Sequence, residues 1–255
     1  MKSIFKKTAF FIPILFLIFS CGDGDSSDLG SDSVIQGSTN KFAVTGDYLY
    51  ILNESSLIPY NLSNPESPQK ESEVFLGVGI ETVITRGDNL FIGAQDGMYI
   101  FDISDRANPK QLSVYRHMTA CDPVALKDSV AYVTLRTNNI TCGGNINVLE
   151  VLDIRNLNNP TRRNSINMRE PHGLSVEGNN LFVAEEDFGI VNFDVEEAYS
   201  PTMKEEIKPL HNSKDVIAVD NANFEKLLIV TGADGIFQYT YKDGSFQLLS
   251  EFKFI

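Results

Sequence analysis

Asp88-Asn89-Leu90-Phe91-Ile92-Gly93-Ala94, then Asp96-Gly97, then Met98-Tyr99-Ile100-Phe101-Asp102-Ile103-Ser104, then Asn108-Pro109 is the stretch from which the fold is read. It holds two short runs rich in β-branched, aromatic and aliphatic residues, separated by turn formers. The same order recurs along the chain. Asp47-Tyr48-Leu49-Tyr50-Ile51-Leu52 leads to Tyr60-Asn61-Leu62-Ser63 and Asn64-Pro65. Ser129-Val130-Ala131-Tyr132-Val133 leads to Leu152-Asp153-Ile154 and Asn159-Pro160. Asn179-Asn180-Leu181-Phe182-Val183-Ala184 leads to Phe193-Asp194-Val195 and Ser200-Pro201. Lys226-Leu227-Leu228-Ile229-Val230 leads to Ala233-Asp234-Gly235 and Ile236-Phe237-Gln238-Tyr239.

From Tyr60 to Phe101, Leu152, Phe193 and Tyr239 the steps are 41, 51, 41 and 46 residues, which makes five copies with an insertion in the third. Each copy contains four short runs bounded by Asp-Gly, Asn-Pro or Gly-Asp/Asn turns. Four strands per repeat of about 40 residues predict an all-β chain, a five-bladed β-propeller of four-stranded antiparallel blades. A two-sheet sandwich is the competing architecture, but sandwiches do not repeat at this period. The expected blades cover residues 39–77, 78–118, 119–168, 169–211 and 212–255. No long amphipathic helix is legible; Val195–Tyr199 has room for one turn.

The Leu-Phe-Val-Ala…Gly-Ile-Val-Asn-Phe-Asp-Val…Pro pattern resembles the LVIVD-repeat family of bacterial surface and secreted propellers, best at Leu90–Pro109 and Leu181–Pro201. The resemblance covers about residues 40–253 and implies a propeller at the cell surface, with no particular reaction or ligand. Blade 5 departs from the pattern: Gln238 and Thr240 occupy the usual Asp region, and the Asn-Pro turn is missing.

The 255 residues upstream and within these repeats carry 42% hydrophobic and 22% charged residues, the balance of a globular protein. The formal net charge is -13, and taking off the leader with Lys2, Lys6 and Lys7 makes it -16. Phosphate backbones are neutralised by clustered Lys and Arg, so nucleic acid is excluded as a partner class. Met1–Lys7 is basic and Thr8–Phe19 almost wholly apolar, too short to span a bilayer but suited to a signal-peptide core. Ile18-Phe19-Ser20-Cys21-Gly22 resembles a bacterial lipoprotein signal, with Phe19 bulkier than the usual pattern. The resemblance implies a signal peptide over residues 1–20, lipidation of Cys21, palmitate among the acyl groups, and anchoring in the envelope, at the outer membrane or cell surface. A secretory signal with a chance Cys and an uncleaved anchor are the alternatives. Residues 21–38, rich in Gly, Ser and Asp, read as a flexible acidic tether.

Two residues before the first inward apolar position of each copy stand Asn40, Glu81, Asp122, His172 and Asp215. In a propeller the first strand lines the axis, so these five are expected to ring one channel mouth. Three carboxylates, an imidazole and an amide suit a polyhydroxylated ligand, a water cluster or a hard cation such as Ca²⁺. Innermost strand ends are also polar simply because such channels are wet, and a lone His often serves a structural hydrogen bond. No other metal or cofactor is expected. Cys121 lies beside Asp122, and Cys142 falls in the inserted loop Arg136–Asn147; a disulfide between them would pin the insertion over the mouth. Two free thiols or metal ligation are the alternatives. Glu185-Glu186-Asp187, in the blade 4 loop equivalent to Gln95-Asp96, reads as a solvated turn, with a place at the same entrance as the alternative. No G-x-S-x-G, H-E-x-x-H, Walker or dinucleotide fingerprint occurs. The expected function is therefore a monomeric, envelope-anchored module binding a protein, peptide or glycan. The alternative is a glycoside hydrolase with two of Glu81, Asp122 and Asp215 as acid and base.

Overall fold

Apolar runs of period two separated by turns pair as successive antiparallel strands, and among the described residues there is no helix. The computed structural model describes residues 39–117, 123–138, 142–208, 212–221, 224–242 and 245–254. All of them belong to the unit Ser33–Ile255. The signal segment and the tether lie outside the described residues.

Blade 1 comprises β1 (Phe42–Thr45), β2 (Tyr48–Asn53), β3 (Ser56–Asn61) and a split outer strand, β4 (Gln69–Lys70) and β5 (Val74–Phe75), both paired to β3. Blade 2 runs β6 (Ile80–Arg86), β7 (Asn89–Ala94), β8 (Gly97–Asp102), β9 (Lys110–Arg116). Blade 3 runs β10 (Val124–Lys127), β11 (Val130–Asn138), β12 (Cys142–Asp153), β13 (Thr161–Asn167). Blade 4 runs β14 (Leu174–Glu177), β15 (Asn180–Ala184), β16 (Ile190–Asp194), β17 (Thr202–Ile207). Blade 5 runs β18 (Ser213–Asn221), β19 (Phe224–Gly232), β20 (Gly235–Lys242), β21 (Ser245–Lys253). Every pairing is antiparallel and between neighbours in sequence, apart from the β3–β5 contact. Val195–Tyr199 forms bends and a turn rather than a helical turn.

The repeated residues have local work to do. The carboxylate or amide that closes the third strand accepts the backbone N–H two residues on: Asn61 from Ser63, Asp102 from Ser104, Asp153 from Arg155 and Asp194 from Glu196, at 2.8–3.1 Å. This Asx turn stops the strand and starts the Asn-Pro connection. Blade 5 has Thr240 there, and β20 continues through it into a direct hairpin with β21. At the second turn, Gly97 and Gly189 sit under the outer strand: a Cβ would lie 2.3 Å from the Tyr115 carbonyl oxygen and 2.1 Å from that of Ile207. Only glycine lets the outer strand come so near. The third repeat's insertion, expected as a loop, is an extension of the β11–β12 hairpin, with Arg136 opposite Asn147 and Asn138 opposite Cys142.

Directly opposed residues share a face of the pleat, so each blade has one face toward the blade before it and one toward the blade after it. Blade 1 lays Ala43, Tyr50, Leu52 and Leu57 on Val83, Leu90, Ile92 and Tyr99 of blade 2. Blade 2 lays Ile84, Phe91, Met98 and Ile100 on Val124, Ala131, Val133 and Leu152 of blade 3. Blade 3 lays Ala125, Tyr132, Leu149 and Val151 on Leu174, Leu181, Val183 and Val191 of blade 4. Blade 4 lays Phe182, Ala184 and Ile190 on Val216, Ala218, Leu228 and Val230 of blade 5. The core is thus a set of interfaces between blades. First strands of successive blades lie against one another, which places them around the axis.

Candidate functional site

Each first strand starts with a polar residue because its upstream end leaves the packed interface. The register defines which one. Phe42, Val83, Val124, Leu174 and Val216 face Ile51, Ile92, Val133, Val183 and Val230 of the second strands. Two residues upstream of these stand Asn40, Glu81, Asp122, His172 and Lys214. The fifth member is thus Lys214, one residue before the expected Asp215. The cause is a register shift between Ser213 and Asp215, matched by one between Ile80 and Thr82 that singles out Glu81 in blade 2. Such a bulge inserts one residue and re-aims its side chain. Asp122 and Cys121 lie outside the described residues, as does the side chain of Cys142, and with them the expected disulfide.

Blades 4 and 5 meet at a triad. His172 is held at both backbone ends: its N–H donates to Ala184 (2.8 Å), and its carbonyl accepts from the Thr134 hydroxyl (2.6 Å). Its Nε2 lies 3.1 Å from Oε2 of Glu186 and 3.4 Å from Nζ of Lys214, and Lys214 is ion-paired with the other oxygen of Glu186. Glu186 is one of few non-glycine residues with positive φ, at 38°, a conformation its neighbours stabilise: its carbonyl accepts both the N–H and the hydroxyl of Ser213 at 3.0 Å. Burial and the positive field of Arg136 push the His172 imidazole down to about 4, against the opposing pull of Glu186. The Lys214 hydrogen bond holds the Glu186 carboxyl down at about 2. Near neutral pH the triad is therefore a neutral imidazole between an ammonium and a carboxylate.

Asp215 is 8% exposed and turned into the blade junctions. It accepts the Thr39 hydroxyl at 2.7 Å, which ties blade 5 to the start of blade 1, and it accepts the Val216 N–H at 2.9 Å. Gly173 makes room for it: a Cβ there would lie 1.9 Å from Oδ1 of Asp215. Between blades 1 and 2, Lys41 donates to the Ile80 carbonyl beside Glu81, and the Val83 N–H donates to the Asn40 carbonyl at 2.8 Å. Burial lowers the Lys41 pKa, opposed by Glu81.

Glu185-Glu186-Asp187 is not a solvated turn. Glu185 is 1% exposed and takes three hydrogen bonds from Arg169, from its backbone N–H at 2.7 Å and its guanidinium at 2.9 and 2.5 Å. Arg169 also reaches Glu206 at 2.8 Å and stacks over Phe188 at 4.5 Å. Asp187 accepts the Asn212 N–H. Sequence reasoning thus missed Lys214 and Arg169, and it held Glu186 at the entrance only as the alternative to a solvated turn. A pair of consecutive acids where the repeat elsewhere has Gln95-Asp96 was the one available sign. Among the described residues no three of His, Cys, Asp and Glu gather as a metal centre. What is present can donate and accept hydrogen bonds with fixed charges of both signs.

The LVIVD repeat is matched at residues 36–74 and 81–116, blades 1 and 2. No curated protein matches the sequence. Among solved structures, a protein of unknown function from Desulfotomaculum acetoxidans aligns with TM-score 0.68 and 10% identity over 84% of this chain and 69% of its own. The periplasmic gluconolactonase of Pseudomonas aeruginosa aligns with TM-score 0.63 and 12% identity over 82% and 68%. The N-terminal domain of Nup159 aligns with TM-score 0.55 and 12% identity over 84%, and this chain spans 61% of that domain's length. These likenesses are likenesses of fold. With five antiparallel blades the chain is a β-propeller, and its first two blades match the LVIVD repeat.

Proposed function

We propose that the protein is an exported, lipid-anchored binding module that recognises a protein, peptide or glycan through its channel mouth and the adjoining loops. The observation that carries this reading is the triad His172–Glu186–Lys214. Its imidazole is held neutral down to about pH 4 and its carboxylate ionised down to about 2, so neither exchanges a proton near neutrality. General acid–base catalysis wants groups poised near the working pH. Fixed charges and oriented hydrogen-bond donors serve recognition instead. Asp215, one of the three carboxylates weighed for hydrolysis, is turned toward Thr39 and Gly173, which does not favour the hydrolase. The leader, Cys21 and the acidic tether support the anchor.

A thermal-shift screen of glycans, peptides and Ca²⁺ tests the binding reading on wild type, His172→Ala and Lys214→Ala. A ligand that raises Tm in wild type and not in the variants is expected. A complete screen with no shift, or shifts that both variants keep, overturns the mouth as the site. Cell fractionation tests the anchor: the wild-type chain is expected with membranes and Cys21→Ser in the soluble fraction. Wild type in the soluble fraction refutes it.

A further inference from the structure

The mouth carries one cation that has no counter-ion among the described residues. β11 runs five residues past Val133, to Asn138. The other second strands stop one or two residues past the equivalent Ile51, Ile92, Val183 and Val230. The extra length carries Arg136 beyond the level at which those strands end. Side chains alternate across a strand, so Arg136 shares a face with Tyr132 and Thr134. That face is turned to blade 4: the Tyr132 hydroxyl donates to the Ala198 carbonyl at 2.9 Å, and the Thr134 hydroxyl to that of His172 at 2.6 Å. Asn147, opposite Arg136 in β12, donates its amide to the Arg169 carbonyl on the same side. Arg136 thus stands one step outward from the contact with His172, close enough for its charge to act on the imidazole. The ion pairs beside it join Arg169 to Glu185 and Glu206, and Lys214 to Glu186; among the described residues Arg136 enters none.

The imidazole has an unused acceptor as well. Its Nε2 faces the Glu186 carboxylate, so the proton of the neutral ring sits on Nε2 and Nδ1 keeps its lone pair. Among the described residues no donor reaches Nδ1. We propose that Arg136 and His172 together take a hydroxycarboxylate, the uronic acid residue of an acidic glycan. The guanidinium holds the carboxylate through two parallel N–H donors, and a neighbouring ring hydroxyl donates to Nδ1 of His172. The assignment rests on the reading of the mouth as a binding site and names what that site binds. A neutral sugar leaves the guanidinium without a counter-charge. The terminal carboxylate of a peptide supplies the charge but no hydroxyl beside it. The Nδ1 lone pair repels a second carboxylate and accepts a hydroxyl, so the two groups select a ligand that carries one of each. Phe188, 38% exposed in the turn that holds Glu186, offers an aromatic surface of the kind on which the apolar side of a pyranose rests. The net charge of -13 opposes an anion from afar. Charges more than about 8 Å away are largely screened at physiological salt, so the contact at Arg136 decides.

Isothermal titration of the full chain with sodium D-glucuronate, D-glucose and sodium acetate, at neutral pH and constant ionic strength, tests the assignment. Glucuronate is expected to bind about tenfold or more tightly than either of the others. Arg136→Gln is expected to reduce glucuronate to the level of glucose, and His172→Ala to reduce it to the level of acetate. Arg136→Lys keeps the charge without the fork and is expected to fall between wild type and Arg136→Gln. An unchanged Tm in Arg136→Gln separates a lost contact from a lost fold. No binding of glucuronate overturns the assignment, and so does binding that glucose or acetate equals or that Arg136→Gln leaves intact. A neutral glycan or a peptide whose binding needs His172 and Lys214 but not Arg136 also overturns it, and leaves the mouth as the site. Absence of binding by every ligand of the wider screen overturns the assignment and the mouth together.

Discussion

Acidification separates two effects that oppose each other at His172. The Glu186 carboxylate, 3.1 Å from Nε2, favours the imidazolium. Burial at 9% exposure and the charges of Arg136 and Lys214 favour the neutral ring, and they prevail, bringing the folded pKa from 6.5 to about 4. A histidine whose folded pKa lies below its unfolded value contributes stability that is fully present above 6.5 and is lost as pH falls toward 4. At pH 5 the unfolded chain holds almost one proton more at this site than the folded chain. The distance from 6.5 to 5 is worth about 2 kcal/mol. Urea unfolding of wild type and His172→Gln at pH 7 and pH 5 isolates the term, because other groups that titrate in this window are common to both. Wild type is expected to lose about 2 kcal/mol more than the variant between the two pH values. An equal loss in both proteins would refute the reasoning. A wild type that gains on acidification would show that the ion pair outweighs burial.

Three further substitutions test the packing that supports the mouth. Gly173→Ala drives a methyl group into Asp215 and displaces it from Thr39, with an expected loss of about 1–3 kcal/mol in the urea midpoint and a weakened junction between blades 5 and 1. Glu185→Ala strips the Arg169 backbone and guanidinium of a buried acceptor and is expected to cost about 1.5–3 kcal/mol by chemical unfolding. Leu181→Ala, at 0% exposure in the interface of blades 3 and 4, is expected to cost about 2–5 kcal/mol. Its counterpart Leu248→Ala, 51% exposed on β21, should stay within about 0.5 kcal/mol of wild type.

The number of blades and their order could be read from residue order, because strand period and turn chemistry act over a few residues. Asn61, Asp102, Asp153 and Asp194 close their strands through hydrogen bonds to groups two positions away, and Gly97 and Gly189 sit at turns of the same hairpins. Counting from such turns places Asn40, Glu81 and His172 two residues before the first inward position of their strands, as the register has them. In blade 5 the bulge at Lys214 adds a residue without any mark in composition, and counting from the following strand lands on Asp215. Nor does residue order show that Glu186 reaches His172 and Lys214 across two blades, or that Glu185 is buried under Arg169. Those contacts depend on how blades stack, and so does the coverage of an apolar face: Phe42 and Val83 hold the same place in the repeat, yet only Val83 has a blade packed over it. Local hydrogen bonding wrote the repeat, and the packing of one blade on the next determined which of its side chains became core, triad or open surface.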